Sequence, residues 1–421
     1  MTDSPLIVIG GGPAGMMAAG RAAELGAPVV LLEKNRRPGK KLLITGGGRC
    51  NVTNNIDDRH TLVSRYGGEA RGLHSPFSRF PPAAMRSFLE ERGLGTRVED
   101  EDRVFPATNS AASVRDVLER YLQTGGVQVE CNQRVTGLRV AAGSVQGVEL
   151  HGGETRPACA VILATGGMSR PETGSSGDGF RFLSRTGHGV RIPEPSLVPI
   201  AVREQWIARL QGVSLAETRL SAWLDGKRQF DGVGKLLFTH FGLSGPLTLN
   251  LSQRINELAQ GGTVELQIDL FPAKDGGEVE RMLQTIFDAE PGKKLQNVLG
   301  RVVPTRMASV ILERTGVDGQ TRCHSVTREA RRAVAATIKA LRMTFASLLG
   351  TEKAVVSSGG LSPQDIDFRT MESKRVARLF VTGDLIDVDR RSGGYSLHLC
   401  WATGWVAGES AAGVCGRPTR G

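Results

Sequence analysis

Four apolar residues, Leu6-Ile7-Val8-Ile9, run without interruption near the start of the chain and stop at a glycine. A short unbroken run of this kind predicts a strand buried on both faces. Gly10 to Gly15 forms a glycine turn, and Ala14 to Leu25, rich in Ala and Met, predicts a helix ended by Gly26. Pro28 to Leu32 predicts a second strand, closing with Glu33. The order strand, helix, strand is the start of a βαβ arrangement.

Pro38 to Asn54 is Gly- and Lys-rich, too polar for core. Helical spacing covers 81–94 and 110–123, and strands are predicted at 127–130, 135–140, 145–150 and 160–163, the last ending in Ala164-Thr165-Gly166-Gly167. The pattern changes near Pro193-Glu194-Pro195. From there to about Gly350 strand-like pieces (198–202, 219–224, 263–269) alternate with helical ones (277–288, 327–348). Apolar strands return at Ala354-Val355-Val356 and at Arg378 to Val381, which leads into Thr382-Gly383-Asp384, and 398–412 predicts a final helix. The expected division is 1–192 and 351–421 as one domain, with 193–350 inserted. A chain of 421 residues is long for one core, which agrees with that division.

No apolar run reaches the ~18–20 residues of a membrane span, and Met1-Thr2-Asp3-Ser4 lacks the basic flank of a signal peptide. A cytoplasmic location is the expectation, with no membrane partner. Six cysteines occur, none as C-x-x-C, so free thiols and no metal site are expected. The net charge of +10 points weakly to a polyanionic partner or to solvated basic faces. From Arg301 to Arg342, nine basic residues face three acidic ones, a net +6 over 42 residues. That density suits phosphate contacts, or a solvated helical face.

Gly10-x-Gly12-x-x-Gly15 lies between the first strand and helix. Gly10 allows the tight turn, Gly12 lets a pyrophosphate approach the backbone, and Gly15 lets helix and strand pack closely. The helix start supplies unpaired N–H groups and partial positive charge. Glu33, 18 residues after Gly15, is placed to accept from an adenosine ribose. No second glycine fingerprint occurs, so no separate nicotinamide domain is expected. Gly383-Asp384 after a late strand suits a ribityl chain.

The segment Gly39 to Asn54, with Thr45-Gly46-Gly47-Gly48-Arg49-Cys50-Asn51 at its centre, resembles the BaiN/RdsA-like (YhiN-like) flavoproteins of the glutathione-reductase-like group. Further matches are Gly174 to Gly179, Thr239-His240-Phe241-Gly242-Leu243-Ser244-Gly245-Pro246, Met371 to Lys374 and Gly393-Gly394-Tyr395. They extend over nearly the whole chain. The resemblance implies an α/β fold: a Rossmann-like FAD-binding domain of glutathione-reductase type. Its inserted α+β domain would have a β-barrel-like part and a helical part and would cover the flavin. By position, Ala14 and Gly15 would meet the pyrophosphate. Lys34, Lys40, Lys41, Thr45, Gly48, Arg49 and Asn51 would lie along the cofactor, with Thr165 and Gly166. The Val135 backbone would meet the adenine, Asp384 a ribityl hydroxyl, and the turn at Gly394 and Tyr395 the flavin pyrimidine. Ser396 stands where the family usually has Asn, Asp384 where Glu is common, and Cys400 to Trp405 departs from Ser-Ser-Gly-Tyr.

Flavin chemistry leaves the protein to place a proton donor or acceptor. Cys50 beside Arg49 is a candidate thiolate, or a structural thiol. His240 and Tyr395 are candidates of the same kind, each with a packing role as the alternative. Family resemblance and the basic stretch together imply an FAD-dependent oxidoreductase that reduces a carbon–carbon double bond, with uridine in ribosomal RNA as substrate. The rivals are a small-metabolite oxidoreductase of ene-reductase or amine-oxidase type, with NAD(P)H as a transient donor, and a non-catalytic FAD-containing RNA-binding factor.

Overall fold

The computed structural model describes residues 4–350 and 356–416. β1 (Leu6–Ile9) is buried at every position, as its unbroken apolar run requires. α1 (Pro13–Glu24) begins with proline at its first position, where the missing N–H costs nothing. β2 (Val29–Glu33) follows, then the two-residue β3 (Thr53–Asn54), α2 (Ala111–Thr124), β4 (Gln128–Cys131), β5 (Val135–Ala141) and β6 (Ala160–Leu163).

The chain divides into two compact units, Met1–Pro195 with Ala354–Gly421, and Ser196–Lys353. In the second unit, six strands close an antiparallel barrel: β7 (Ile200–Val202), β8 (Ser214–Leu224), β9 (Lys227–Phe238), β10 (Gly242–Ser244), β11 (Val264–Asp269) and β12 (Leu341–Leu348). Their order around the barrel is β7-β10-β9-β8-β11-β12. Its helices include α3 (Pro246–Leu258), α4 (Gly276–Ala289), α5 (Thr305–Thr315) and α6 (Arg328–Lys339). The helix predicted over 327–348 therefore ends at Lys339. Leu341, Met343 and Phe345 are buried while Arg342 and Ala346 are exposed, a period of two that belongs to a strand.

The first unit resumes with a strand at Val356–Leu361, continues through β13 (Ile366–Asp367), β14 (Glu372–Ser373) and β15 (Leu379–Val381), and ends in α7 (Tyr395–Cys415). Of the strand predicted at 354–356, Ala354 and Val355 lie outside the described residues. The central sheet has the order β13-β14-β15-β6-β1-β2-β4, parallel from β15 to β4. α7 lies close against α1, because Gly404 and Gly408 have no side chain to hold off the Ala14 and Ala18 carbonyls.

The expectation of six free thiols is corrected. Cys159 and Cys415 form a disulfide with Cα atoms 5.6 Å apart, joining the residue before β6 to the last residue of α7. They are 256 residues apart, so only the sheet's packing brings them together. Cys50, Cys131, Cys323 and Cys400 are free. No helix among the described residues is long and apolar enough to cross a membrane.

Candidate active site

The carboxyl ends of β1, β2 and β6 open into a cleft within the first unit. This is where a parallel sheet with crossover helices binds ligands. Gly10, Gly12 and Ala14 form part of its wall. Gly12 caps α1 in extended conformation with no side-chain bond to the helix, and no acidic residue stands in the first turn. The first amides of α1 are thus left without helical acceptors, at the positive end of the helix dipole. A Cβ on Gly12 would meet nothing within 4 Å, so the space in front of the turn is open. Gly15 lies one residue deeper, buried, where any Cβ would collide with the Gly10 carbonyl. The Thr165 hydroxyl is buried at the wall with no protein partner. Room, free donors and an orphaned hydroxyl together fit an anionic dinucleotide.

Glu33 is buried at the end of β2. One carboxylate oxygen accepts from Gly11 N–H at 2.6 Å, the other from Asn35 N–H at 2.8 Å and Asn35 Nδ2 at 2.7 Å. Three of roughly four acceptor sites are therefore engaged, and a ribose hydroxyl would take the last. Three lysines sew the opposite wall together. Lys34 Nζ donates to Ser176 Oγ (2.6 Å) and pairs with Asp178 (2.8 Å). Lys40 Nζ donates to the Glu172 carbonyl at 2.6 Å. Lys41 Nζ donates to Ser169 Oγ at 2.8 Å and pairs with Asp384 at 3.3 Å. Thr45, Val135, Gly166, Gly383 and Asp384 also line the cleft. Burial pushes the Asp384 carboxyl up, but Arg390 and Lys41 outweigh it and hold the group below the usual carboxylate range.

Gly48, Arg49, Asn51, Gly394 and Tyr395 stand off the cleft wall. Arg49 pairs with Glu99, donates to Asn109 and lies over the Phe105 ring at 4.1 Å. Gly48 is exposed, at φ +88°. The Asn51 amide, oriented to satisfy its neighbours, accepts from Gly394 N–H at 3.0 Å and donates to the Thr53 carbonyl at 2.9 Å. Gly394 has φ +95°, and a Cβ there would collide with the Thr53 backbone. In the turn at Gly394 and Tyr395, expected to face the flavin pyrimidine, the Gly394 amide is thus held by Asn51. Ser396 and Leu397, in the first turn of α7, line the cleft instead. α7, like α1, starts without a side-chain cap.

The thiolate expectation for Cys50 is also corrected. Its side chain is fully buried and off the cleft wall, and burial pushes the thiol up to about 12. Adjacency to Arg49 in sequence does not bring the charge near, because that guanidinium turns toward Glu99. Tyr395 is buried with its ring edge-on to Tyr66 at 5.9 Å, and burial raises its phenol. His240 is exposed in the second unit, edge-on to Phe241 at 4.9 Å.

Sequence reasoning missed Asn35, Cys400 and Arg390. Cys400 lines the cleft, and burial, with Asp384 adding to it, pushes its thiol up to about 12. Its place could be read only once the orientation of α7 was known. In the basic stretch, Arg301 pairs with Glu290, Arg331 and Arg332 with Glu280, Lys339 with Asp269 and Arg342 with Glu265. All of those partners lie outside the 301–342 window, so the local count overstated free charge. Arg314, Arg322 and Arg328 are exposed and outside these pairs.

The family described as HI0933-like protein Rossmann domain matches residues 4–410. The 3-dehydro-bile acid delta(4,6)-reductase of Clostridium scindens is 30% identical over 410 residues, covering 96% of this chain and 98% of that protein. The ribosomal RNA dihydrouridine synthase of Escherichia coli is 27% identical over 403 residues, 96% of each chain. Among solved structures, the 3-ketosteroid delta1-dehydrogenase of Sterolibacterium denitrificans superposes with a TM-score of 0.56 at 13% identity, covering 97% of this chain and 99% of that one. This last likeness is one of fold.

Proposed function

The chain belongs to the HI0933-like family and is an FAD-dependent oxidoreductase; from that premise we propose that it reduces a carbon–carbon double bond, with a uridine of ribosomal RNA as substrate and dihydrouridine as product. The observation that carries this reading is the likeness, over 96% of the chain, to ribosomal RNA dihydrouridine synthases of two organisms. The bile-acid reductase is likewise named for adding hydrogen across a double bond. Exposed Arg314, Arg322 and Arg328 supply cations for phosphate contacts.

The α1 turn, Thr165 and Glu33 would hold FAD, which when bound would supply the hydride equivalent, with NAD(P)H as its proposed source. The protein must add a proton to the neighbouring carbon. Cys50, buried and held protonated, does not reach solvent or the cleft. His240 is proposed as the donor on its residue type alone, and Tyr395 as packing. His240→Asn is expected to lower kcat by about 100-fold, within the usual range for a lost general acid, at an unchanged flavin spectrum. A loss below threefold removes His240 from that role.

A small conjugated carbonyl compound is the second reading, favoured by the ion pairing of the basic stretch. Mass spectrometry of ribosomal RNA from a deletion strain decides between them. Loss of one dihydrouridine, restored by the gene, is expected for RNA. Unchanged dihydrouridine, with purified enzyme active on a free enone, overturns it.

A further inference from the structure

The side chain of Arg390 is 1% exposed and lies behind the cleft wall. Its Nη2 pairs with Asp384 Oδ1, Nε donates to Ser396 Oγ at 3.0 Å, and Nη1 donates to the Val388 carbonyl at 2.8 Å. Asp384 and Ser396 both line the cleft. They are also two of the positions where this sequence departs from the motif it otherwise resembles, and they meet at one guanidinium. The other oxygen of Asp384 is taken by Lys41, so one carboxylate faces two cations. The net charge of the cluster is +1. It sits beside the uncapped start of α7, where the helix dipole adds positive potential. A buried guanidinium is screened little by solvent, so its field reaches the cleft.

We propose that Arg390 is a positioning residue that holds Asp384 and Ser396 on the wall and keeps this end of the cleft electropositive, favouring the reduced, more negative form of bound FAD. The inference rests on FAD occupying the cleft and is independent of the substrate proposed above. Replacing Arg390 by a neutral side chain leaves Lys41 and Asp384 cancelling each other. The reduced cofactor then loses a favourable interaction that the oxidised one hardly feels.

The test is the midpoint potential of FAD bound to the full chain, with the FAD dissociation constant measured alongside. Arg390→Met is expected to weaken binding of reduced relative to oxidised FAD by about tenfold, which lowers a two-electron potential by about 30 mV. Arg390→Lys keeps the charge and is expected to restore most of that potential. Ser396→Ala, which leaves the guanidinium in place, is expected to give a smaller fall in the same direction and serves if the Met variant fails to fold. An unchanged potential in Arg390→Met, or in Ser396→Ala if the Met variant is unfolded, overturns the proposal while leaving the flavoprotein reading intact. A wild-type chain that takes up no FAD overturns both.

Discussion

Two helices begin at the same cleft without a side-chain cap, and the glycine at each start is there for opposite reasons. Gly12, before α1, has ordinary extended geometry and open space where a Cβ would stand. Its lack of a side chain makes room for something other than protein. Gly394, before α7, has φ +95° and would press a Cβ into Thr53. Its lack of a side chain lets the protein pack on itself, with Asn51 holding its amide. A glycine in a binding motif is therefore not in itself a ligand contact. The neighbours of the missing atom decide which kind it is.

The far end of α7 is bolted to β6 through Cys159–Cys415, whereas the other end of α1 stops at an exposed Leu25. Breaking the bolt should give the largest effect on this pair of helices. Cys415→Ser is expected to cost about 4 kcal/mol of unfolding free energy, the size expected for a disulfide closing so long a loop. Titration of unfolded, unreduced wild type should find four thiols, and six would dismiss the bond. Next in size, Gly394→Ala should cost about 3 kcal/mol, combining a left-handed alanine with a backbone collision. Urea unfolding of the FAD-free protein reads this, and a loss under 1 kcal/mol would mean that the turn gives way.

Gly12→Val should leave that FAD-free stability nearly untouched and weaken FAD binding about 100-fold, or roughly 2.8 kcal/mol. Wild-type affinity in this variant would place the diphosphate elsewhere. Per pH unit, the smallest effect concerns acid. His398, in the first turn of α7, is fully buried, and burial lowers its pKa to about 3. Its folded form resists a proton that the unfolded chain accepts near 6.5. Stability is then whole above the unfolded value and falls as pH drops from about 6.5 toward 3, by up to about 1.4 kcal/mol per pH unit. His398→Gln should flatten this slope. The first turn of α1 has no titratable side chain, so acid should loosen α7 first; equal acid slopes in the variant and wild type would end that distinction.

Unbroken apolar runs and glycine spacing made the opening β1–α1–β2 unit readable, because each of its signals lies within a few residues. The barrel was less so. β9, twelve residues long, went unpredicted, and β12 was absorbed into a helix because its apolar positions continue those of α6. At the site, the lysines of the polar loop and the Gly383-Asp384 turn were legible as wall residues. Arg390 and Cys400 were not, since nothing near them in sequence marks them as facing a cleft. The thiolate at Cys50 was misread because a neighbouring arginine in sequence was taken for one in space.

Sequence by itself determined the family, the strand-turn-helix that makes room for a diphosphate, and the flavin-dependent chemistry that goes with them. These are written in short-range patterns, where the backbone's own geometry enforces the outcome. Only the tertiary structure decided which glycine faces open space, which cations of the basic stretch are already paired, and that Asp384, Lys41, Ser396 and the buried Arg390 form one cluster. Those depend on burial and on distances between residues as much as 343 positions apart, and no local pattern encodes a distance of that kind.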